Sequence, residues 1–129
     1  MIPKKERTVM NKELREQIYH KYGGRCAYCG REIEYKDMQV DHLEPLASEY
    51  YRGIEKETLN DISNLMPSCR ICNHYKRANS LEYFRECIST IPKKLAERQY
   101  IYKVGMAYGF YDDVLKPVQF YFEQREGKR

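Results

Sequence analysis

The chain has 129 residues, with 23 lysines and arginines against 19 aspartates and glutamates, which gives a net charge of +4. This length favours one compact domain with a modest core, and no run of about 18 apolar residues is present to suggest a membrane span. Because the basic first ten residues lead into charged residues rather than an apolar signal core, we expect a cytoplasmic protein whose mild positive charge suits a polyanionic partner.

The first half begins with a predicted helix that Asn11 caps and Gly23 ends. Its apolar side chains recur at helical spacing, at Leu14, Ile18 and Tyr22. Two short strands are predicted after it, one over residues 38–43 and one at residues 65–66. The segment 48–60 separates these strands and is predicted to be a polar excursion.

The second half, from Ser80 onward, is predicted to be mainly helical. Its first apolar stripe consists of Leu81, Phe84, Ile88, Ile91 and Leu95. Pro92 is expected to split this stripe into two helices. A second stripe consists of Ile101, Val104, Tyr108 and Tyr111. The tyrosines of this half are predicted to fill the core in preference to stacking on bases.

Residues 118–123, VQFYFE, alternate between apolar and polar and predict a short final strand. We therefore divide the chain into a chemistry-bearing segment at residues 1–79 and an extension at residues 80–129 that packs on it. Packing and scaffolding are favoured over a separate binding function for the extension.

Four of the five cysteines are arranged as two C-x-x-C pairs, Cys26 with Cys29 and Cys69 with Cys72. In an intracellular chain two such pairs favour a tetrahedral zinc site over a redox dithiol. The pairs are 39 residues apart, more than the roughly 15 to 20 of an ordinary zinc ribbon, so a further segment is inserted. A closed four-sulfur site predicts structural zinc, and Cys87 is expected to pack in the core.

Polar residues whose side chains could take part in catalysis lie between and just after these cysteine pairs. They are Asp41 and His42, Asn64, Asn73 and Lys76. The order C-x-x-C, D-H-x-x-P, N-L, C-x-x-C-N-x-x-K resembles the HNH endonucleases, a branch of the His-Me finger (ββα-metal) nucleases. The resemblance covers about residues 19–76 and implies an α+β fold: a small ββα-metal core stapled by zinc, with the helical extension and its strand appended.

The resemblance also implies a role for each of these residues. Histidine is the side chain that can act as a neutral general base near pH 7, and His42 is expected to do so with Asn64 holding its loop or ring in place. Asp41 and Asn73 are expected to hold one catalytic Mg²⁺ or Mn²⁺. Phosphate contacts are assigned to Lys76, Arg70 and Arg77.

The expected partner is DNA, most naturally double-stranded, and the expected state is a monomer or weak dimer. Such a nuclease is compatible with an origin in a phage or a mobile element. The chain departs from the common family pattern in lacking Gly-Gly after D-H-x-x-P, where it has the segment 48–60. His74 stands beside Asn73 as an alternative last ligand, although a helix starting there would turn His74 about 100° away.

Two other functions use the same residues. In a zinc nucleobase deaminase, His42, Cys69 and Cys72 would bind a catalytic zinc and Glu44 would move protons. A non-catalytic zinc module would bind nucleic acid or protein and leave His42 idle. On the nuclease interpretation, Glu44 is expected to be a solvated surface charge rather than a group that supports the site.

Overall fold

The structure is a computed structural model that describes residues 11–112 and 116–127. The helices of this part of the chain are α1 (Lys12–His20), α2 (Ser48–Arg52), α3 (Lys56–Leu59), α4 (Arg70–Lys76), α5 (Leu81–Ser89), α6 (Ile91–Arg98), α7 (Tyr100–Ala107) and α8 (Tyr121–Arg125). The strands are β1 (Gln39–His42) and β2 (Leu65–Ser68), and short 3-10 turns precede each strand. None of the helices described is long and apolar enough to cross a bilayer.

Helix α1 begins and ends as the sequence predicts. The side-chain oxygen of Asn11 accepts a hydrogen bond from the backbone N–H of Leu14 at 2.7 Å, which satisfies a free donor of the first turn. Ile18 is fully buried on the apolar face. Gly23 and Gly24 follow with φ of +65° and +76°, a left-handed conformation that glycine adopts without steric cost.

The sheet consists of β1 and β2 in antiparallel register, with Asp41 opposite Met66 and His42 opposite Leu65. β2 is one of the most buried segments, and α4 begins directly after Cys69, the residue that follows β2. Helix α4 packs on β1, which completes a strand-strand-helix unit. The mixed α+β fold, with a small sheet and four clustered cysteines, is therefore confirmed.

The extension shares a hydrophobic core with the cysteine-bearing segment. Phe84 of α5 stacks on Phe120 with ring centroids 5.2 Å apart, and both rings meet the edge of Tyr28. Phe122 joins the same cluster, which also contains cysteines of both pairs. Pro92 stands in the first turn of α6, so the predicted split of the first stripe into two helices is confirmed.

The predicted final strand is wrong, because residues 121–125 form α8. Phe120 and Phe122 are both buried, so the alternation does report burial. The backbone turns into a helix because the Glu123 carboxylate accepts a hydrogen bond from the N–H of Phe120 at 2.9 Å and caps the first turn. The N–H groups of Tyr121 and Phe122 donate instead to the carbonyls of Tyr28 and Ala27, at 3.0 and 2.8 Å.

The prediction that the tyrosines of the second half fill the core is also wrong for most of them. The exposed fractions are 53% for Tyr83, 80% for Tyr100, 78% for Tyr108 and 53% for Tyr111. Helix α7 packs against α6, and it ends at Ala107, so Tyr108 and Tyr111 follow the helix instead of continuing its stripe. Helical spacing identified the helix correctly, but it cannot show whether a neighbouring layer covers the apolar face.

Candidate functional site

The four predicted zinc ligands converge in space. The sulfur atoms of Cys26, Cys29, Cys69 and Cys72 all lie within 4.8 Å of one another, and Cys29 and Cys69 are 3.8 Å apart. Ligands at the usual zinc–sulfur distance of about 2.3 Å in a tetrahedron would be separated by about 3.8 Å. The donor set therefore fits a closed, structural zinc site.

Local structure forms this cluster from two tight turns. Cys69 caps the N-terminus of α4, where its sulfur accepts a hydrogen bond from the N–H of Cys72. The turn of the first pair is held against the end of β2, since the N–H of Ala27 donates to the carbonyl of Pro67 at 2.8 Å. The two pairs are thus brought together by backbone contacts as well as by the sulfurs.

The crowding of the sulfurs has an electrostatic consequence. A hydrogen bond with Cys72 lowers the pKa of Cys26 to about 4, and the same contact raises that of Cys72. Burial raises the pKa of Cys29. Four thiolates at this spacing repel one another, so full ionisation of the cluster needs a divalent cation at its centre.

His42 does not belong to this cluster. Its Nε2 atom lies 2.8 Å from the side-chain oxygen of Asn60, away from the sulfurs. Cys69 and Cys72 are grouped with the other cysteine pair instead. The deaminase interpretation, which requires one nitrogen and two sulfurs on a shared zinc, is therefore wrong.

An open pocket of about 260 Å³ is the second feature of the site. Its polar lining residues are Asp41, His42, Asn73 and Arg77. Neighbouring residues inside a strand point to opposite faces, but β1 ends at His42, so Asp41 and His42 can both line this pocket. Residues assigned to the base, the metal ligands and a phosphate contact thus share one cavity.

Asp41 lies at the buried side of this pocket and has two donors. The hydroxyl of Tyr28 donates to its Oδ2 atom, and the ammonium of Lys76 lies 2.9 Å from the same oxygen. Burial and the nearby carboxylate raise the pKa of Tyr28 well above its ordinary value, so its hydroxyl stays protonated and remains a donor. Among the residues described, none donates a hydrogen bond to the other oxygen, Oδ1.

Lys76 differs from the sequence prediction. Its side chain is 0% exposed, and its ammonium contacts Asp41 and also donates to the carbonyl of His42 at 3.0 Å. A lysine buried in this ion pair is not placed to contact a phosphate. Its charge instead compensates the buried carboxylate beneath the pocket.

Asn64 holds the backbone around His42 and does not touch the ring. Its side-chain oxygen accepts a hydrogen bond from the N–H of Glu44 at 2.8 Å, while its NH₂ group donates to the carbonyls of Glu44 and Leu59. In addition, the carbonyl of Asn64 accepts from the N–H of Leu43. Of the two expected options, loop or ring, these contacts are on the loop.

The remaining candidate metal ligands and phosphate contacts lie on different sides of α4 or just after it. Asn73 lines the pocket with Asp41, whereas His74 and Arg70 line a different and mainly apolar groove of about 560 Å³. The helix thus turns His74 away from the pocket, as the spacing predicts. Arg77 lines the pocket itself, in a backbone conformation with φ of +54° that is uncommon for residues other than glycine.

Glu44 is more constrained than the solvated charge that was expected. Its Oε1 atom accepts hydrogen bonds from Ser48 and Arg52, both at 2.5 Å. These bonds, Ser48 first, lower the pKa of its carboxyl below the ordinary value. Glu44 therefore ties α2 to the loop that follows His42.

Sequence reasoning missed two residues that contact the expected base and metal ligand. Tyr28 lies between the cysteines of the first pair. Its position inside a predicted zinc-binding turn could have marked it as a residue near the site. Asn60 lies at the end of the segment that replaces the family's usual Gly-Gly, and nothing in its sequence context marks it.

Comparison with known families agrees with this geometry. The family model described as HNH endonuclease matches residues 26–79, which begin at the first cysteine and end three residues after Lys76. This segment is therefore similar to the HNH endonucleases, a nuclease-type family, and the resemblance noted in the sequence is confirmed. Comparisons with curated proteins and with solved structures gave no significant match.

Replacing Cys26 with serine is expected to abolish zinc binding and to unfold the first half of the chain, because a structural zinc contributes folding free energy directly. Cys87→Ser is the matched control, since this cysteine lies outside the cluster. Metal content and thermal unfolding test this. We expect one zinc per chain for the wild type and for Cys87→Ser; a folded wild type without zinc would contradict the assignment.

Replacing Lys76 with methionine is expected to lower the free energy of unfolding by about 3–5 kcal/mol, because Asp41 would remain buried without its counter-charge. Arg70→Met on the same helix is the control, with an expected change within about 0.5 kcal/mol because Arg70 is exposed. Urea unfolding in excess zinc measures both. Unchanged stability of Lys76→Met together with weakened DNA binding would instead restore the phosphate role.

Proposed function

We propose that the protein is a metal-dependent endonuclease that hydrolyses phosphodiester bonds in DNA. The observation that carries this proposal is the shared pocket of Asp41, His42 and Asn73, in a segment that matches the model of a nuclease-type family. These side chains supply a nitrogen base and two oxygen ligands, the set that one-metal phosphodiester hydrolysis needs.

In this proposal Asp41 and Asn73 hold one Mg²⁺ or Mn²⁺ through side-chain oxygens. When bound, the cation stabilises the negative charge that develops on the phosphate and on the leaving oxygen. Tyr28 and Lys76 both contact Oδ2 of Asp41, which leaves Oδ1 to face the ligand. A carboxylate and a carboxamide suit a hard cation better than the cysteine cluster does, so two different metals would occupy two different sites.

His42 removes a proton from the attacking water as the general base. Arg77, at the edge of the same pocket, is placed to contact a phosphate oxygen, and exposed Arg70 extends the basic surface along α4. Asn64 keeps the loop after His42 in place through its three side-chain hydrogen bonds. Double-stranded DNA is the substrate that we assign.

His42→Ala is expected to reduce cleavage at least about 100-fold, the lower end of what a positioned base contributes. Zinc content, fold and most of the DNA affinity are expected to persist, because phosphate contacts dominate affinity. Plasmid cleavage by purified protein in Mg²⁺, Mn²⁺ or EDTA measures this. Binding without any cleavage by the wild type would favour the non-catalytic module, and wild-type cleavage by His42→Ala would remove His42 from the mechanism.

Asn73→Ala is expected to weaken catalytic metal binding and to abolish most activity, whereas His74→Ala is expected to be mild because His74 faces another groove. Asn73→His should restore some activity with a preference shifted toward softer metals. Cleavage rates titrated against Mg²⁺ and Mn²⁺ compare the three variants. If His74→Ala is inactive and Asn73→Ala cleaves normally, the ligand assignment on α4 is wrong by one residue.

A further inference from the structure

The imidazole of His42 has a side-chain partner that is not among the residues that carry the family resemblance. Its Nε2 atom is 2.8 Å from the side-chain oxygen of Asn60, the residue that ends α3. His42 lines the pocket but Asn60 does not, so the contact joins the pocket to a residue outside its lining. The partner comes from the segment 48–60, in which the chain departs from the common family pattern.

We propose that Asn60 is a positioning residue that fixes the tautomer and orientation of His42. An amide oxygen can only accept a hydrogen bond, so Nε2 must carry the proton. A neutral imidazole has one N–H group, and its other nitrogen, Nδ1, is then the lone pair that removes a proton from water. This inference rests on the proposed function, in which His42 is the general base.

The backbone around both partners is fixed before any substrate binds. Asn60 caps α3 through its N–H, which donates to the carbonyl of Lys56 at 2.9 Å. The preceding Leu59 is 1% exposed and anchors this end of the helix. The NH₂ group of Asn64 bridges the carbonyl of Leu59 and the carbonyl of Glu44, at 2.8 and 3.0 Å.

This bridge joins the residue before Asn60 to the residue two places after His42. The distance between the imidazole and the amide is therefore set by hydrogen bonds within the protein. Asn64 fixes the backbone on both sides, and Asn60 fixes the ring. The two asparagines act on different degrees of freedom of the same base, so their replacement should have different effects.

The test uses variants that separate the acceptor from the rest of the side chain. Asn60→Ala removes the acceptor, and Asn60→Asp keeps an acceptor but has no donor. Thr58→Ala, an exposed position on the same helix, is the matched control. Loss of a partner that orients a functional histidine commonly costs about 10- to 100-fold, so this loss in kcat with little change in KM is expected for Asn60→Ala. Asn60→Asp, which keeps the acceptor, is expected to recover most of the rate.

Nitrogen-15 NMR of the zinc-loaded protein, without Mg²⁺ or Mn²⁺, reads the tautomer directly. The signal of His42 is assigned by its absence in His42→Ala, with His20 and His74 as internal references. We expect a protonated Nε2 and a bare Nδ1 in the wild type and in Asn60→Asp, and loss of this fixed tautomer or a shifted ring signal in Asn60→Ala.

The outcomes separate this inference from the proposed function. A wild type with protonated Nδ1 and bare Nε2 would overturn the role of Asn60, as would Asn60→Ala that cleaves at the wild-type rate. A wild type that shows the expected tautomer but never cleaves DNA would refute the nuclease assignment instead, because the spectrum does not depend on activity.

Discussion

The four cysteine sulfurs join parts of the chain that are distant in sequence, and the pocket depends on that convergence. The turn of Cys26 and Cys29 is held against the end of β2 through Ala27 and Pro67. Tyr28, inside this turn, donates to Asp41 from below the pocket and packs against Phe84 and Phe120. The backbone of the same turn accepts hydrogen bonds from the start of α8. A zinc ion in this cluster would therefore stabilise the carboxylate of Asp41, the sheet and the docking of the extension together.

A buried ion pair determines how the pocket presents its carboxylate. Removing a charge from water costs several kcal/mol unless the partner geometry is good, and Lys76 supplies both a counter-charge for Asp41 and a donor to the carbonyl of His42. Tyr28 and Lys76 both contact Oδ2, so these two groups hold the carboxylate by the same oxygen. Such an arrangement pre-organises an oxygen ligand without using the oxygen that would face a cation.

Much of the fold follows from local sequence rules. The Asn11 cap, the two strands, the split at Pro92 and the cysteine cluster were all predictable, because each depends on a few neighbouring residues or on a strict spacing. Asp41 and His42 can line one pocket because β1 ends at His42, and Pro45 close behind it predicted that the strand ends there.

The rest required tertiary information. The alternation of apolar residues around Phe120 indicates which side chains are buried. The backbone forms a helix because Glu123 caps its first turn and the N–H groups of the segment bond to Tyr28 and Ala27. The exposure of Tyr100 and Tyr108 depends on which layers cover α7. Burial of Lys76 and the pairing of Asn60 with His42 arise between segments far apart in sequence, and residue type alone does not reveal such contacts.

In the proposed function, one chain holds two metals of different chemistry at two sites. A crystal of the protein grown with zinc and soaked in Mn²⁺, with anomalous scattering recorded at both metal edges, tests it most directly. We expect zinc among Cys26, Cys29, Cys69 and Cys72, and manganese in the pocket between Asp41 and Asn73. Manganese absent from that pocket at saturating concentration, or zinc bound by His42, would contradict it.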